Sequence, residues 1–237
     1  MIVDAHCHLD FGDNALKKLI KTMDSLGVNK AVVCPTERYI AVYNHLGNRY
    51  IVNAVRKFPK RLFGFATVNP WFGKKAEKEL KISLQSGLKG LKLNPFLQGF
   101  ILNDEIVHPL IELCEEFEVP VYFHTGTPVS AMPFQLAYLA REFPNVQFIM
   151  GHMGYSDFWY DAVPAAEKAT NIILETSHIW TDIILEAYRR IGSDRIVFGT
   201  DAPISDPEIE LKKIISMRIR EDEKEKILGG NIIRVME

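Results

Sequence analysis

Met1-Ile-Val-Asp-Ala-His-Cys-His8, with the segment Asp13–Leu26 and the run Lys30-Ala-Val-Val-Cys34 behind it, is the stretch that decides the fold. A short apolar run comes first. A segment with Leu16, Leu19, Ile20, Met23 and Leu26 on one helical stripe follows, and then a second apolar run. That is one strand–helix–strand unit, and the pattern recurs along the chain. Strands are expected at Ile2–Ala5, Lys30–Cys34, Leu62–Thr67, Leu88–Leu93, Val119–Phe123, Val146–Met150, Asn171–Glu175 and Arg195–Gly199. Turn signals lead into several of them: Gly27-Val-Asn29, Ser86-Gly87, Pro144-Asn145 and Gly192-Ser-Asp194. Asp104–Phe117 reads as a helix through Ile106, Leu110, Leu113 and Phe117. Lys212–Met236 reads as one or two closing helices, with a charged start at Glu221-Asp-Glu-Lys-Glu-Lys226.

Strands with little polar alternation suit a parallel sheet covered by helices. Eight such units in 237 residues predict an α/β protein, a closed (β/α)₈ TIM barrel, as a single domain over residues 1–237. An open doubly wound sheet would be favoured by a glycine-rich dinucleotide fingerprint after the first strand, and none follows it. With the first strand at residue 2, the barrel is expected to make up the whole chain. The longer loops, Asn94–Asn103 and Thr125–Pro133, are the segments from which a lid would be built.

Composition narrows the function. The chain is 47% hydrophobic and 24% charged, with 28 basic against 30 acidic residues and a net charge of −2. Without a basic excess a nucleic-acid partner is not expected. No charge-free apolar run reaches membrane-spanning length, so no membrane partner is expected either. Three widely spaced cysteines and no signal-peptide pattern make the cytoplasm the expected location.

In a barrel, chemistry sits at the C-terminal ends of the strands. Those ends offer His6 and His8, then His124, His152 and Asp201. In an extended strand His6 and His8 share a face and Cys7 points away. Three imidazoles and a carboxylate suit one divalent metal such as Zn²⁺. Its bound water would be activated, Asp201 would shuttle the proton, and His152 would stand beside the metal to orient water or stabilise an oxyanion.

Asp4-Ala-His-Cys-His8, Lys89-Gly-Leu-Lys-Leu-Asn-Pro95, Pro120-Val-Tyr-Phe-His124, Gly151-His-Met-Gly154 and Gly199-Thr-Asp-Ala-Pro203 together resemble the amidohydrolase superfamily. Within it they most resemble the amidohydrolase-related branch, which holds hydrolases and enzymes like 2-amino-3-carboxymuconate-6-semialdehyde decarboxylase. The likeness runs from residue 3 to Leu228-Gly-Gly-Asn231. It implies metal ligands His6, His8, His124 and Asp201, with Asp201 and His152 as the catalytic residues. Some relatives carry a histidine at the place of Asn94. Binuclear members bridge two metals with a carboxylated lysine or a glutamate near the place of Lys92, yet a lysine here is also usual in the mononuclear branch, so one metal is expected.

The leading expectation is a metal-dependent hydrolase of a small molecule, acting on a C–N or C–O bond. The alternative is a metal-dependent, non-hydrolytic decarboxylase of a small aromatic or unsaturated acid. A TatD-like nuclease shares the opening motif but would place a glutamate after the fourth strand, where this chain has Leu-Lys-Leu-Asn-Pro. Around the site, His178 could face the pocket or open a helix, and Arg38 could pair a substrate carboxylate or bridge to a loop acid. Trp71, Phe72 and Phe96 could wall the pocket or pack the rim. His45 and His108 fall in helical patterns and read as structural or exposed. Short loops suggest a small substrate or a pocket completed by a neighbouring subunit, and the resemblance implies a homodimer as a possible assembly, since barrels of this branch often pair.

Overall fold

The repeats close into a barrel in a computed structural model that describes residues 1–236. Its strands are β1 (Val3–Leu9), β2 (Lys30–Pro35), β3 (Leu62–Gly64), β4 (Leu91–Leu93), β5 (Val121–His124), β6 (Phe148–Gly151), β7 (Ile172–Glu175) and β8 (Ile196–Val197). The helices are α1 (Asp13–Leu26), α2 (Glu37–Ala41), α3 (Asn44–Lys57), α4 (Lys74–Gln85), α5 (Pro95–Gln98) and α6 (His108–Glu116). After them come α7 (Pro133–Glu142), α8 (Tyr155–Lys168), α9 (Thr181–Ile191), α10 (Pro207–Ile215), α11 (Glu221–Glu225) and α12 (Asn231–Met236).

Every strand pairing is parallel, in the order β1-β2-β3 and β4-β5-β6-β7-β8. Two bridges close the ring: Ala66 to Leu91 beyond β3, and Cys7 to Ala202 beyond β8. At the second seam Asp201 N donates to His6 O at 2.8 Å and His8 N to Ala202 O at 2.7 Å. Asp4 stitches the same seam. Its carboxylate accepts from Thr200 N at 3.0 Å and from Thr200 Oγ1 at 2.6 Å.

Side-chain alternation sorts each strand into an inner and an outer layer. Val32, Tyr122, Ile149, Ile173 and Val197 pack together inside the barrel, whereas Val33, Phe123, Met150, Leu174 and Ile196 pack outward beneath the helices. Ile232 and Met236 of α12 join the inner cluster and plug its N-terminal end.

β1 breaks the alternation once. Between Asp4 and Cys7 it advances three residues while β2 advances two, from Ala31 to Val33. This β-bulge reverses the parity of the strand. Val3 and Ala5 belong to the inner cluster, Cys7 and Leu9 to the outer one, and His6 and His8 face inward. Cys7 does point away from the paired imidazoles, as alternation requires.

Several expected boundaries move. β1 extends through His6 and His8 to Leu9, where the sequence put both histidines beyond the strand. β3 and β8 are shorter than expected, because Ser193–Arg195 forms a 3₁₀ turn and the residues after β3 and β8 pair only through isolated bridges, and β4 begins only at Leu91. The expected helix Asp104–Phe117 splits into a 3₁₀ turn and α6, with the Asp104 side chain capping Ile106 N. The C-terminal segment begins earlier, at Pro207, and passes through a π-helical turn at Lys226–Gly230. The loop Asn94–Asn103 contains α5, capped by the Asn94 side chain. No helix among the described residues is long and apolar enough to cross a membrane.

Candidate metal centre and catalytic cavity

The first two imidazoles are held from behind. His8 Nδ1 lies 2.7 Å from the carbonyl of Pro35, which can only accept, so Nδ1 donates and Nε2 is turned to the interior. His6 Nδ1 lies 2.7 Å from the hydroxyl of Tyr122, and that hydroxyl donates to Glu175 Oε2 at 2.7 Å. The phenolic proton is therefore already used, His6 Nδ1 is the donor, and its Nε2 also faces inward as a lone pair. The two Nε2 atoms stand 3.2 Å apart.

Asp201 completes the cluster from the segment after β8. Its Oδ1 lies 3.2 Å from His8 Nε2 and 3.4 Å from His6 Nε2, and is buried without a hydrogen-bond partner. Lone pairs converging at these distances repel unless something positive lies among them. Burial alone would lower the His8 imidazole, but Cys34 and Asp201 beside it outweigh this and push it up to about 10. The site thus favours a positive charge at this point, and a divalent cation fits the donors present. Burial opposes ionisation of Asp201 too. The imidazoles of His6, His178 and His8 overcome it and hold the carboxyl well below the usual range.

His6, His152 and Asp201 offer ligand atoms within 4.8 Å of one another, as do His6, His8 and Cys34. His124 stands at the end of β5. It is part-buried, with Nδ1 3.0 Å from His152 Nε2 and Nε2 3.2 Å from Thr127 Oγ1. Burial, with His124 alongside, pushes His152 well below the ordinary histidine value and keeps it neutral. Lys92 Nζ lies 3.0 Å from His6 Nε2 and over the Tyr122 ring, and its burial lowers it.

Backbone strain gathers here. His152, His178 and Asp201 adopt φ values of 65°, 63° and 56°, a region that favours glycine and costs other residues about 1–3 kcal/mol each. His178 is held by α10: Glu210 accepts from His178 N, while Lys213 Nζ donates to the carbonyls of Thr176 and Ile179. Its Nε2 thereby reaches Asp201 Oδ2 at 2.8 Å.

Above the cluster opens a cavity of about 660 Å³, within the usual range for small-molecule sites. Arg38, Asn94, Phe96, Tyr155, His178 and Ile204 contribute to its walls. Trp71 and Phe72 are not among the lining residues, and Trp71 Nε1 instead donates to Gly99 O. His45 pairs with Glu79 and His108 with Glu142, away from the cavity.

Residues 3–236 match the amidohydrolase family. The chain belongs to that family. Among its relatives, 2-amino-3-carboxymuconate-6-semialdehyde decarboxylase of Dictyostelium discoideum is 24% identical over 232 residues, covering 80% of this chain and 65% of that protein. The chain thus spans just under two thirds of that relative's length. Gamma-resorcylate decarboxylase of a Polaromonas species is 24% identical over 237 residues, covering 78% and 73%. In structure, the fold matches 5-carboxyvanillate decarboxylase of Novosphingobium aromaticivorans, solved with manganese and 4-hydroxy-3-methoxy-5-nitrobenzoic acid. The TM-score is 0.81 at 17% identity, covering 100% of this chain and 96% of that one.

Within this family frame, the sequence reading missed the groups behind the imidazoles. Tyr122 and Ser177 read as an ordinary strand residue and a loop residue. Glu175 carried a usable signal: a carboxylate closing the apolar run Ile172-Ile-Leu-Glu175 at a barrel strand end. Strand-end bookkeeping applied to acids as well as histidines finds it.

Proposed function

We propose that the chain is a metal-dependent, non-hydrolytic decarboxylase of a small aromatic carboxylic acid. The observation that carries this reading is the position of Asp201. One oxygen shares the cation-seeking cluster with His6 and His8, while the other is hydrogen-bonded to His178 Nε2 at 2.8 Å below the open cavity. His178, raised by this hydrogen bond, holds a proton that the Asp201 carboxylate can relay to a substrate carbon. The names of the relatives favour the same chemistry over hydrolysis, the leading expectation from the sequence.

His6, His8 and Asp201, with His124 as the outermost donor, would hold one divalent ion, and when bound it neutralises negative charge on an acidic oxygen of the substrate. We favour Mn²⁺ over the Zn²⁺ expected from the donor types, since a related decarboxylase structure holds manganese. Asp201 and His178 share the proton that Asp201 delivers to the ring carbon bearing the carboxylate. The new C–H bond forms first. The C–C bond then breaks, its electron pair returns to the ring, and carbon dioxide leaves without water or oxidant being consumed. His152 is the neutral imidazole beside the reacting group, and Arg38 on the cavity wall attracts the anionic substrate.

Metal-loaded protein offered a panel of hydroxybenzoates, lactones, esters and amides tests this reading, with carbon dioxide and acid release scored separately. Carbon dioxide from a hydroxybenzoate supports it. Acid release without carbon dioxide returns the chain to the hydrolases.

A further inference from the structure

Behind the donor cluster the barrel also encloses the carboxylate of Glu175, fully buried at the end of β7. Its contacts divide into two arms. On one arm Tyr122 OH donates to Oε2 at 2.7 Å, and the phenol oxygen in turn stands 2.7 Å from His6 Nδ1. On the other, Ser177 Oγ donates to Oε2 at 2.8 Å, and that oxygen stands 2.8 Å from His152 Nδ1. The backbone amides of Ser177 and His152 also donate to the carboxylate, at 2.7 and 3.1 Å. Glu175 thus receives four donors and gives none.

We propose that Glu175 is a positioning residue that sets the tautomers of two histidines at once, His6 in the metal cluster and His152 beside it. A carboxylate can only accept, so it draws the hydroxyl protons of Tyr122 and Ser177 toward itself. Each hydroxyl oxygen is left as an acceptor, each Nδ1 must donate, and each Nε2 presents a lone pair to the cavity. One buried charge thereby orients a ligand and a catalytic group from behind. The barrel is shaped around the pair. A Cβ on Gly199 would fall 2.2 Å from Glu175 Oε1, and one on Gly151 would fall 2.3 Å from Tyr122 OH. Those two glycines leave the room that the carboxylate and the phenol occupy.

The inference deepens the metal-dependent reading above, but its first readout needs neither metal nor substrate. In ¹⁵N-histidine-labelled protein, His6 and His152 are expected as Nδ1–H tautomers, identified by their loss in single variants. Glu175→Gln keeps the size but brings an N–H donor against the network, so both histidines should leave that tautomer. Its Mn²⁺ dissociation constant should rise about 10–100-fold. Tyr122→Phe should shift His6 and weaken Mn²⁺ binding with His152 unchanged, while Ser177→Ala should shift His152 with Mn²⁺ binding retained. These arm variants decide the matter if Glu175→Gln does not fold. Tautomers that stay in place in a folded Glu175→Gln, or in both arm variants, overturn the proposal, because a merely structural carboxylate would change stability alone. Tautomers that respond as stated while no acid is decarboxylated would remove the proposed reaction and keep this inference.

Discussion

The two ends of the barrel interior are built from the same strands and differ in chemistry within a few residues. Toward the N-terminal end Val3, Ala5, Ile149, Ile173 and Val197 pack with Ile232 and Met236 into an apolar plug. Toward the other end the same strands present His6, Lys92, Glu175 and His152, all nearly or wholly buried, with Asp201 just beyond β8. The lower layer excludes water by packing. The upper layer is buried against the lower, and the interactions among its charges are strengthened accordingly. Stability and chemistry are thus stacked along the barrel axis, and each can be disturbed with limited damage to the other.

The largest effect should come from the upper layer. Asp201→Ala removes the proposed cation donor and proton carrier together. We expect turnover to fall by about 10³-fold or more, with bound divalent metal lost from purified protein by elemental analysis. His6→Ala should lose the metal in the same way. In the lower layer, Ile232→Ala should cost about 2–5 kcal/mol in denaturant unfolding while the folded fraction keeps its metal. Equal loss of metal there would mean that the two layers are not separable.

Gly199→Ala probes the boundary, since the added methyl would meet Glu175 Oε1. A cost of about 1–3 kcal/mol is expected from overpacking, with metal affinity lowered as the carboxylate is displaced. The smallest effect concerns pH in the metal-free protein. The hydrogen bond from His178 to Asp201, set against partial burial, raises the His178 value above its ordinary one. The folded state therefore binds this proton more tightly than the unfolded chain does. Its contribution is complete below the ordinary histidine value and is lost as pH rises through the raised one. The unfolding midpoint of wild type should fall over that window relative to His178→Asn, and parallel curves would count against the pairing.

Much of this was legible in the sequence, and the limits have physical causes. The eight apolar runs marked the strands because a barrel strand is buried on both faces, so its hydrophobic pattern hardly depends on register. His152 and Asp201 stand out because a polar residue closing an apolar run is conspicuous, and His178 is a candidate because it follows the seventh run by a short step. The position of His124 relative to His152 was not legible, since it depends on how two neighbouring strand ends orient their side chains. Nor were Tyr122 and Ser177, whose roles come from contacts across the barrel between residues far apart in the chain. The bulge in β1 left no mark at all, because the extra residue looks like any other strand residue.

That bulge makes the length of β1 as consequential as its composition. Had the strand kept strict alternation from Val3 and Ala5 onward, His6 and His8 would lie against the helix layer and Cys7 would face the cavity. Every residue type would still be present, and the donor cluster would not exist. A change of one codon in number, rather than in kind, anywhere between Asp4 and Cys7 is then enough to erase or create the site. In a comparison of related chains, a gap in this strand should be weighed as heavily as the loss of a histidine.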